Sequence, residues 1–138
     1  IAGAGTKTKS YVDLVQQLEL EDYVEFPGWI KREVNREYYK KAMIYISIPQ
    51  SDATSISVLE AMAYGCIPVL SDLPANWEWV ESGHNGLIVK HLDTNFISKA
   101  LKMNQQDVAA LNREIIRERG ATEINRQKFF DVYDRALK

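Results

Sequence analysis

Cysteine is almost absent from this sequence of 138 residues, which contains Cys66 alone. One cysteine cannot form an internal disulfide, so we expect a reducing, cytoplasmic location and a thiol that packs like a small hydrophobic residue. Basic residues are not in surplus, because 17 Lys and Arg face 19 Asp and Glu. A nucleic-acid partner is therefore not expected, since binding a phosphate backbone needs excess cations. No apolar run approaches the roughly 20 residues of a membrane-spanning helix.

A methionine is also missing from the first position. The chain opens with Ile1 and Ala2, followed by a turn at Gly3 and Gly5, a pattern typical of a strand that is already under way. We interpret the sequence as a piece of a longer chain that forms one domain over residues 1–138. With 46% hydrophobic and 26% charged residues, the piece has the composition of an ordinary folded domain.

Strand and helix patterns alternate about five times along the chain. Continuous or alternating apolar runs predict strands, and apolar residues at i, i+3, i+4 and i+7 predict helices. The predicted strands cover residues 1–2, 23–26, 43–48, 67–70 and 87–89. The predicted helices cover residues 7–18, 35–42, 56–64, 75–81, 93–103, 105–119 and 123–137. The alternation predicts an α/β fold, a Rossmann-like three-layer domain with a parallel sheet.

Ligands of open parallel sheets bind beyond the carboxyl ends of the strands. The loops at that edge are predicted to be residues 3–6, 27–32, 49–55 and 71–76. The third loop contains Asp52, and Glu60 follows it after seven intervening residues. A helical rise of ~1.5 Å per residue lets both carboxylates reach one cleft. Glu60 is the only charged residue between Ala53 and Cys66, and a carboxylate in such an apolar helix needs partners.

Two interpretations of Glu60 stay open on the residues alone. Sugar hydroxyls would donate strong charge-assisted hydrogen bonds to it, while the free N–H groups of Ser55, Ile56 and Ser57 at the helix start would hold a phosphate. Alternatively, Ser57 and Glu60 form a capping box, in which Glu60 accepts a bond from the backbone N–H of Ser57. A cap at Thr54 or Ser55 would instead place Glu60 in the second turn and leave it available to a ligand.

The same segment carries a family signature. A carboxylate, seven residues and then Glu-Ala-Met-Ala-x-Gly occur here as Asp52 and residues 60–65. In these residues the sequence resembles the group-one retaining glycosyltransferases of the family-four type, which have the two-domain GT-B fold. Family-like motifs also occur, in order, at residues 1–5, 24–30, 67–72, 78 and 83–89, so the resemblance covers about residues 1–101. Asp52 stands where the family usually has glutamate, and residues 53–55 lack the glycines common there.

The resemblance implies a role for each matched position. Asp52 and Glu60 would be the catalytic pair, with Asp52 binding hydroxyls of the transferred sugar and Glu60 binding those of the ribose. Backbone N–H groups near the helix start would hold the diphosphate, and the loop around Trp29 would border the nucleobase. The implied donor-binding residues are Gly3, Gly5, Trp29, Ile30, Lys31, Thr54, Ser55, Ile56 and Ser57. The family's phosphate-binding Arg and Lys would precede residue 1, so this piece alone is expected to be inactive.

The resemblance implies that the chain is the C-terminal, nucleotide-sugar-binding half of an enzyme of polysaccharide biosynthesis. This enzyme would move a sugar from a nucleoside diphosphate sugar, with retention, to an acceptor sugar, lipid or protein held by the missing N-terminal domain. Peripheral membrane association of the full-length enzyme is compatible with that role. No cofactor and no metal are expected, and His84 and His91 lack the spacing of zinc ligands.

Two alternatives to a glycosyltransferase remain. A sugar-nucleotide epimerase of the same GT-B architecture could also use a carboxylate pair. The other alternative is a non-catalytic Rossmann-like binding module. The turn at Gly3 and Gly5 does not favour a dinucleotide site, because the third glycine and the acidic residue of that fingerprint are missing.

Overall fold

The computed structural model describes residues 1–90 and 95–137. Two positions of the sequence predictions, His91 and the predicted helix start at Asp93, lie outside the described residues. The chain divides into two compact units, Ile1–Tyr38 and Tyr39–Lys138. One domain over residues 1–138 therefore stays a prediction, and each unit has its own architecture.

The first unit is built around helix α1, Thr8–Gln17, which confirms the helix predicted at residues 7–18. A turn precedes this helix, where the N–H of Gly5 donates to Thr8 Oγ1 at 2.9 Å. Gly3 has a φ of +103°, a conformation that glycine adopts at little cost. Its N–H donates to the carbonyl oxygen of Gly28 at 2.8 Å, and this bond brings the opening turn beside the loop that precedes the next helix.

The strand predicted at residues 23–26 is wrong. Residues 21–23 form a turn, and residues 24–27 have no regular structure. Val24 and Phe26 are half-buried and Glu25 is exposed, so the alternation that suggested a strand is real. A strand also needs a neighbour that pairs along its length, and residues 1–38 offer one parallel bridge, between Ala2 and Gly28. The strand predicted at residues 1–2 is reduced to the same bridge.

The second unit contains a parallel sheet of three strands among the described residues, two fewer than the sequence predicts for the whole chain. The strands are β1, Ile44–Ser47, then β2, Ile67–Ser71, and β3, Leu87–Val89, in the order β1-β2-β3. Every residue of the central strand β2 is buried, as expected for a strand covered on both faces. Pro68 has no backbone N–H to donate to a neighbouring strand. It is tolerated in β2 because β3 begins opposite Val69, so no hydrogen bond between the two strands is lost at the proline.

The remaining helices follow the predicted order, and all have changed ends except the helix predicted at residues 56–64. They are α2 (Arg32–Lys41), which crosses the boundary between the units, α3 (Ile56–Tyr64), α4 (Pro74–Trp77), α5 (Phe96–Leu101), α6 (Gln105–Ile115) and α7 (Thr122–Ala136). The helix predicted at residues 75–81 stops at Trp77, and the helix predicted at 105–119 changes to a π-helical turn at Ile116–Gly120. None of the described helices combines the length and the apolar character required to cross a bilayer.

Helices cover both faces of the sheet. On one face, Leu70 packs with Met62 of α3. On the other, Val69 packs in a cluster with Ala100 of α5 and Val108 of α6. Helices on both faces of a parallel sheet make three layers, so the predicted Rossmann-like α/β fold is confirmed.

Two buried asparagines join the layers. Asn85 Nδ2 donates to Asn112 Oδ1 at 2.9 Å, and Asn112 Nδ2 donates to the carbonyl oxygens of Asn85 at 3.0 Å and Cys66 at 3.4 Å. Both side chains are almost fully buried, at 1% and 0% exposure. The pair thereby links the turn before β3 to α6 and to the start of β2.

The expectation that Cys66 packs as a small buried residue is confirmed. The residue is fully buried, and its thiol donates to the carbonyl oxygen of Tyr39 at 3.3 Å. Burial disfavours the thiolate and raises the pKa of Cys66 to about 11. The pKa of Cys66 is therefore higher in the folded chain than in the unfolded chain. The contribution of the protonated thiol to the stability of the fold is fully present below the unfolded-state pKa and is lost as the pH rises through about 11.

We predict that Cys66 resists thiol reagents in the folded protein. At pH 8, Ellman's reagent should react with it only when urea unfolds the chain, because the folded thiol is both buried and protonated. Urea unfolding at pH 8 and pH 10.5 should show a larger loss of stability at the higher pH in the unaltered protein than in the Cys66→Ala variant. Rapid reaction of the native protein at pH 8 would contradict this environment for the thiol.

Candidate functional site

The start of helix α3 decides between the interpretations of Glu60. Ser55 is the N-cap residue, with extended backbone angles of φ −76° and ψ 120°, and the helix begins at Ile56. Ser57 therefore lies inside the first turn and cannot be the cap. The capping-box interpretation of Ser57 and Glu60 is wrong, and Glu60 lies in the second turn. The helix ends where expected, at Gly65 in the left-handed conformation with φ +89°.

Helix α3 is buried on one face rather than all round. Val58, Ala61 and Met62 are buried, whereas 67% of Ile56 is exposed. Glu60 lies between these extremes and is half-buried. The residue is thus neither sealed in the core nor fully solvated, which suits a side chain that meets a polar ligand.

The loop before α3 is open to solvent. Asp52 and Thr54 are exposed, and Ser55 and Ser57 are half-buried. This loop follows β1, so it lies at the carboxyl edge of the sheet, where ligands of this architecture bind. The structure brings Asp52 and Glu60 to one element junction, with Asp52 four residues before the first helical residue and Glu60 four residues after it.

Tyr45 also belongs to this junction, and it was not among the predicted site residues, which include Ser55 and Ser57. The Tyr45 hydroxyl, on β1, donates to Ser57 Oγ at 3.0 Å. Ser57 Oγ and Ser55 Oγ are hydrogen-bonded at 2.8 Å. The sequence signal for Tyr45 was a phenol in a largely apolar run, since a buried tyrosine hydroxyl usually has a partner.

Side chains also fix the loop after β2, predicted to border the same edge. Asn76 Nδ2 donates to the carbonyl oxygen of Ser71 at 2.8 Å, and Asn76 is 6% exposed. Trp77 Nε1 donates to Asp72 Oδ1 at 2.6 Å. The loop is therefore held at both of its ends by side-chain bonds that span five residues.

The other predicted donor-binding residues belong to the first unit. Gly3 and Gly5 lie in the turn before α1, and Trp29, Ile30 and Lys31 precede α2. Trp29 is 84% exposed and Lys31 is exposed, whereas Ile30 is half-buried. The Trp29 indole is therefore not part of the core of the first unit. The roles of these five residues stay predictions.

The cavities of the second unit lie away from the predicted site residues. Two cavities of about 280 and 320 Å³ occur in the second unit, and neither is lined by a predicted site residue. Within residues 1–90 and 95–137, no group of three or more His, Cys, Asp or Glu side chains is placed to hold a metal ion. His84 is exposed.

A parallel sheet between two helix layers, with carboxylates and a helix N-terminus at its carboxyl edge, defines a Rossmann-like α/β domain. Residues 1–118 match the family model described as "Glycosyl transferases group 1". The chain belongs to this family.

Sequence identity to an individual relative is low. A GDP-Man:Man(3)GlcNAc(2)-PP-Dol alpha-1,2-mannosyltransferase of Dictyostelium discoideum is 28% identical over 123 residues, which is 89% of this chain and 22% of that protein. The chain thus spans about a fifth of its curated relative.

Solved structures share the fold. S. aureus TarM, in complex with Fondaparinux, alpha-GlcNAc-glycerol and UDP, is 20% identical with a TM-score of 0.82, over 96% of this chain and 28% of that one. The C-terminal domain of a group 1 family glycosyl transferase, LpcC of Francisella tularensis, is 19% identical with a TM-score of 0.71, over 86% of this chain and 66% of that one.

Proposed function

We propose that the chain is the donor-binding, C-terminal domain of a retaining glycosyltransferase of the family-four type. The complete enzyme transfers a sugar from a nucleoside diphosphate sugar to an acceptor. One observation carries the proposal: in a chain of the group 1 family, Ser55 rather than Ser57 occupies the N-cap position of α3. Glu60 consequently lies in the second turn of α3, and with Asp52 it flanks a helix N-terminus at the ligand-binding edge of the sheet.

In this proposal the two carboxylates are the catalytic pair and recognise hydroxyls. Glu60 accepts hydrogen bonds from the ribose, and the exposed Asp52 accepts them from the transferred sugar. Asp52 is one methylene shorter than the family's usual glutamate, so the sugar hydroxyls have to approach the loop more closely. Bonds to a carboxylate are charge-assisted and therefore discriminate strongly for a polyhydroxyl ligand.

The diphosphate is bound at the start of α3. The N–H groups of the first helical turn have no partner within the helix, and the helix dipole adds partial positive charge at the same place. These donors stabilise negative charge on the leaving diphosphate, an electrostatic contribution of the oxyanion-hole type. Cations outside these 138 residues complete this stabilisation, so the chain alone binds donor without turning it over.

The proposal needs no cofactor and no metal ion, because the donor sugar is itself the activated substrate. The UDP in the TarM structure and the GDP-mannose named for the Dictyostelium relative make both bases reasonable probes. The acceptor, whether a sugar, a lipid or a protein, binds outside this chain.

Calorimetric titration of the protein with UDP and with GDP tests the proposal. We expect one of the two to bind with a dissociation constant of about 1 mM or below, because the helix N-terminus and the carboxylates act together. The matching nucleoside should bind more weakly, since it lacks the diphosphate. If neither nucleotide binds at millimolar concentration, the chain is better described as a non-catalytic module.

A further inference from the structure

A chain of three hydroxyls runs from the sheet to the helix start. The Tyr45 hydroxyl donates to Ser57 Oγ at 3.0 Å, and Ser57 Oγ lies 2.8 Å from Ser55 Oγ. Both hydrogen bonds are partly buried, so water competes for them less than on an open surface. The hydroxyl chain therefore ends at Ser55, the N-cap residue of α3.

The phenol that begins the hydroxyl chain is held by aromatic packing. The Tyr45 ring meets Tyr39 edge-on, with ring centroids 5.9 Å apart and planes at 68°. The same ring packs against two core clusters, one around Val58 and Met62 and the other around Ala61 and Cys66. A ring fixed in this way holds its hydroxyl at one place, so the entropy cost of ordering the donor is met by the fold.

Each hydroxyl has one hydrogen to donate and two lone pairs that accept. Tyr45 donates to Ser57, and either serine can be the donor of the bond between Ser55 and Ser57. When Ser57 is that donor, the hydrogen of Ser55 is left for an acceptor beyond the hydroxyl chain. A serine at the N-cap usually accepts a bond from the backbone of the first turn, but Ser55 makes no such side-chain cap bond with a described residue.

We propose that Tyr45 is a positioning residue for the diphosphate of the donor. Through Ser57 it turns the Ser55 hydroxyl from helix cap into a donor that faces a phosphate oxygen, beside the first-turn N–H groups. Tyr45 does not touch the ligand itself. This inference rests on the proposed function, because it assigns a role within the same donor site.

Tyr45→Phe tests the proposal because it removes one oxygen and keeps the ring. Using whichever of UDP and GDP binds the unaltered protein more tightly, we expect the variant to bind it about three- to tenfold more weakly, the effect of about one net hydrogen bond. Affinity for the matching nucleoside should stay unchanged. A merely structural role would lower both affinities together, so the ratio of the two is the decisive measurement.

Two further variants make the test specific. Tyr64→Phe is the matched control, since Tyr64 stacks on Tyr39 in the same aromatic group and lies outside the hydroxyl chain. It should bind the nucleotide like the unaltered protein. Ser57→Ala should weaken binding as Tyr45→Phe does, and the double variant should show little additional loss, because the two residues act through one hydroxyl chain.

The outcomes separate this inference from the proposed function. Unchanged nucleotide affinity in Tyr45→Phe, or additive losses in the double variant, overturns the positioning role while the donor site stands. Absence of UDP and GDP binding in the unaltered protein overturns both. Urea unfolding of each variant shows whether the fold is retained, and a Tyr45→Phe protein that keeps its stability while losing only nucleotide affinity supports the proposal.

Discussion

Replacement of Asn112 by alanine is expected to lower the free energy of unfolding by about 3 to 4 kcal/mol, the largest loss of stability we expect from a single polar side chain here. The substitution removes three hydrogen bonds in the core. It leaves the carbonyl oxygens of Cys66 and Asn85 without this donor, and Asn85 Nδ2 keeps only its bond to the carbonyl oxygen of Trp79. Buried polar groups that lose a partner cost roughly 1 to 3 kcal/mol each, and a small cavity adds to the loss.

Urea unfolding followed by circular dichroism measures this change. The slope of the free energy against urea should be unchanged, so that the shift of the midpoint reports stability alone. Asn104→Ala is the matched control on the same helix. Asn104 is the exposed N-cap of α6 and accepts from the N–H groups of Gln106 and Asp107, and its loss should cost about 1 kcal/mol. Equal losses in the two variants would contradict a special role for the buried asparagine pair.

The importance of Asn112 could not be predicted from the sequence. In the helical pattern of residues 105–119 it is one polar position among several. Its partners, Asn85 and Cys66, lie 27 and 46 residues away, and periodicity carries no information about contacts at such separations. Asn112 becomes buried only when the turn before β3 and the start of β2 both pack against α6.

Elements with strong local signals were predicted closely. Helix α3 begins at Ile56 and ends at Tyr64, as expected, because a glycine that can adopt a left-handed conformation follows it. β3 has its predicted ends for a similar reason, since a glycine turn precedes an apolar run. The predicted strand at residues 23–26 failed because strand formation depends on a neighbour that the local sequence does not specify.

For the candidate site, the sequence identified the segment but not its internal geometry. The spacing of Asp52 and Glu60 was enough to place both near one helix start. Whether Ser57 or Ser55 was the cap could not be decided, because both serines are good N-cap residues and they are only two positions apart. The hydroxyl chain from Tyr45 depends on how α3 packs against β1, which no local pattern contains.

Substitution of Glu60 is expected to have the largest effect on donor binding. If Glu60 accepts two ribose hydroxyls, Glu60→Ala should weaken nucleotide binding at least about 100-fold, since bonds to a charged group contribute about 1.5 to 3 kcal/mol each. Glu60→Gln keeps the size of the side chain and one acceptor oxygen, so its affinity for the nucleotide should lie between those of the unaltered protein and Glu60→Ala. Titration calorimetry with the better of UDP and GDP measures all three proteins.

Glu60 also has a partner within the chain, so its removal affects stability as well as binding. Urea unfolding of each variant separates the two effects. Glu123→Ala is the charge-matched control, because it removes the same charge from an exposed position in the first turn of α7. It should leave nucleotide affinity within about twofold, because charges far apart on the surface are largely screened.

The 2′-deoxy form of the nucleotide identifies the group that Glu60 recognises. The unaltered protein should bind it at least about tenfold more weakly than the ribonucleotide, because the carboxylate loses one hydroxyl partner. In Glu60→Ala the difference between the two nucleotides should largely disappear, since the deleted groups are partners in one interaction. If the difference persists in the variant, the ribose is bound elsewhere and Glu60 acts on another part of the donor. A half-buried carboxylate in the second turn of α3 would then recognise the transferred sugar, and Asp52, four residues before the helix, would be free to meet the acceptor.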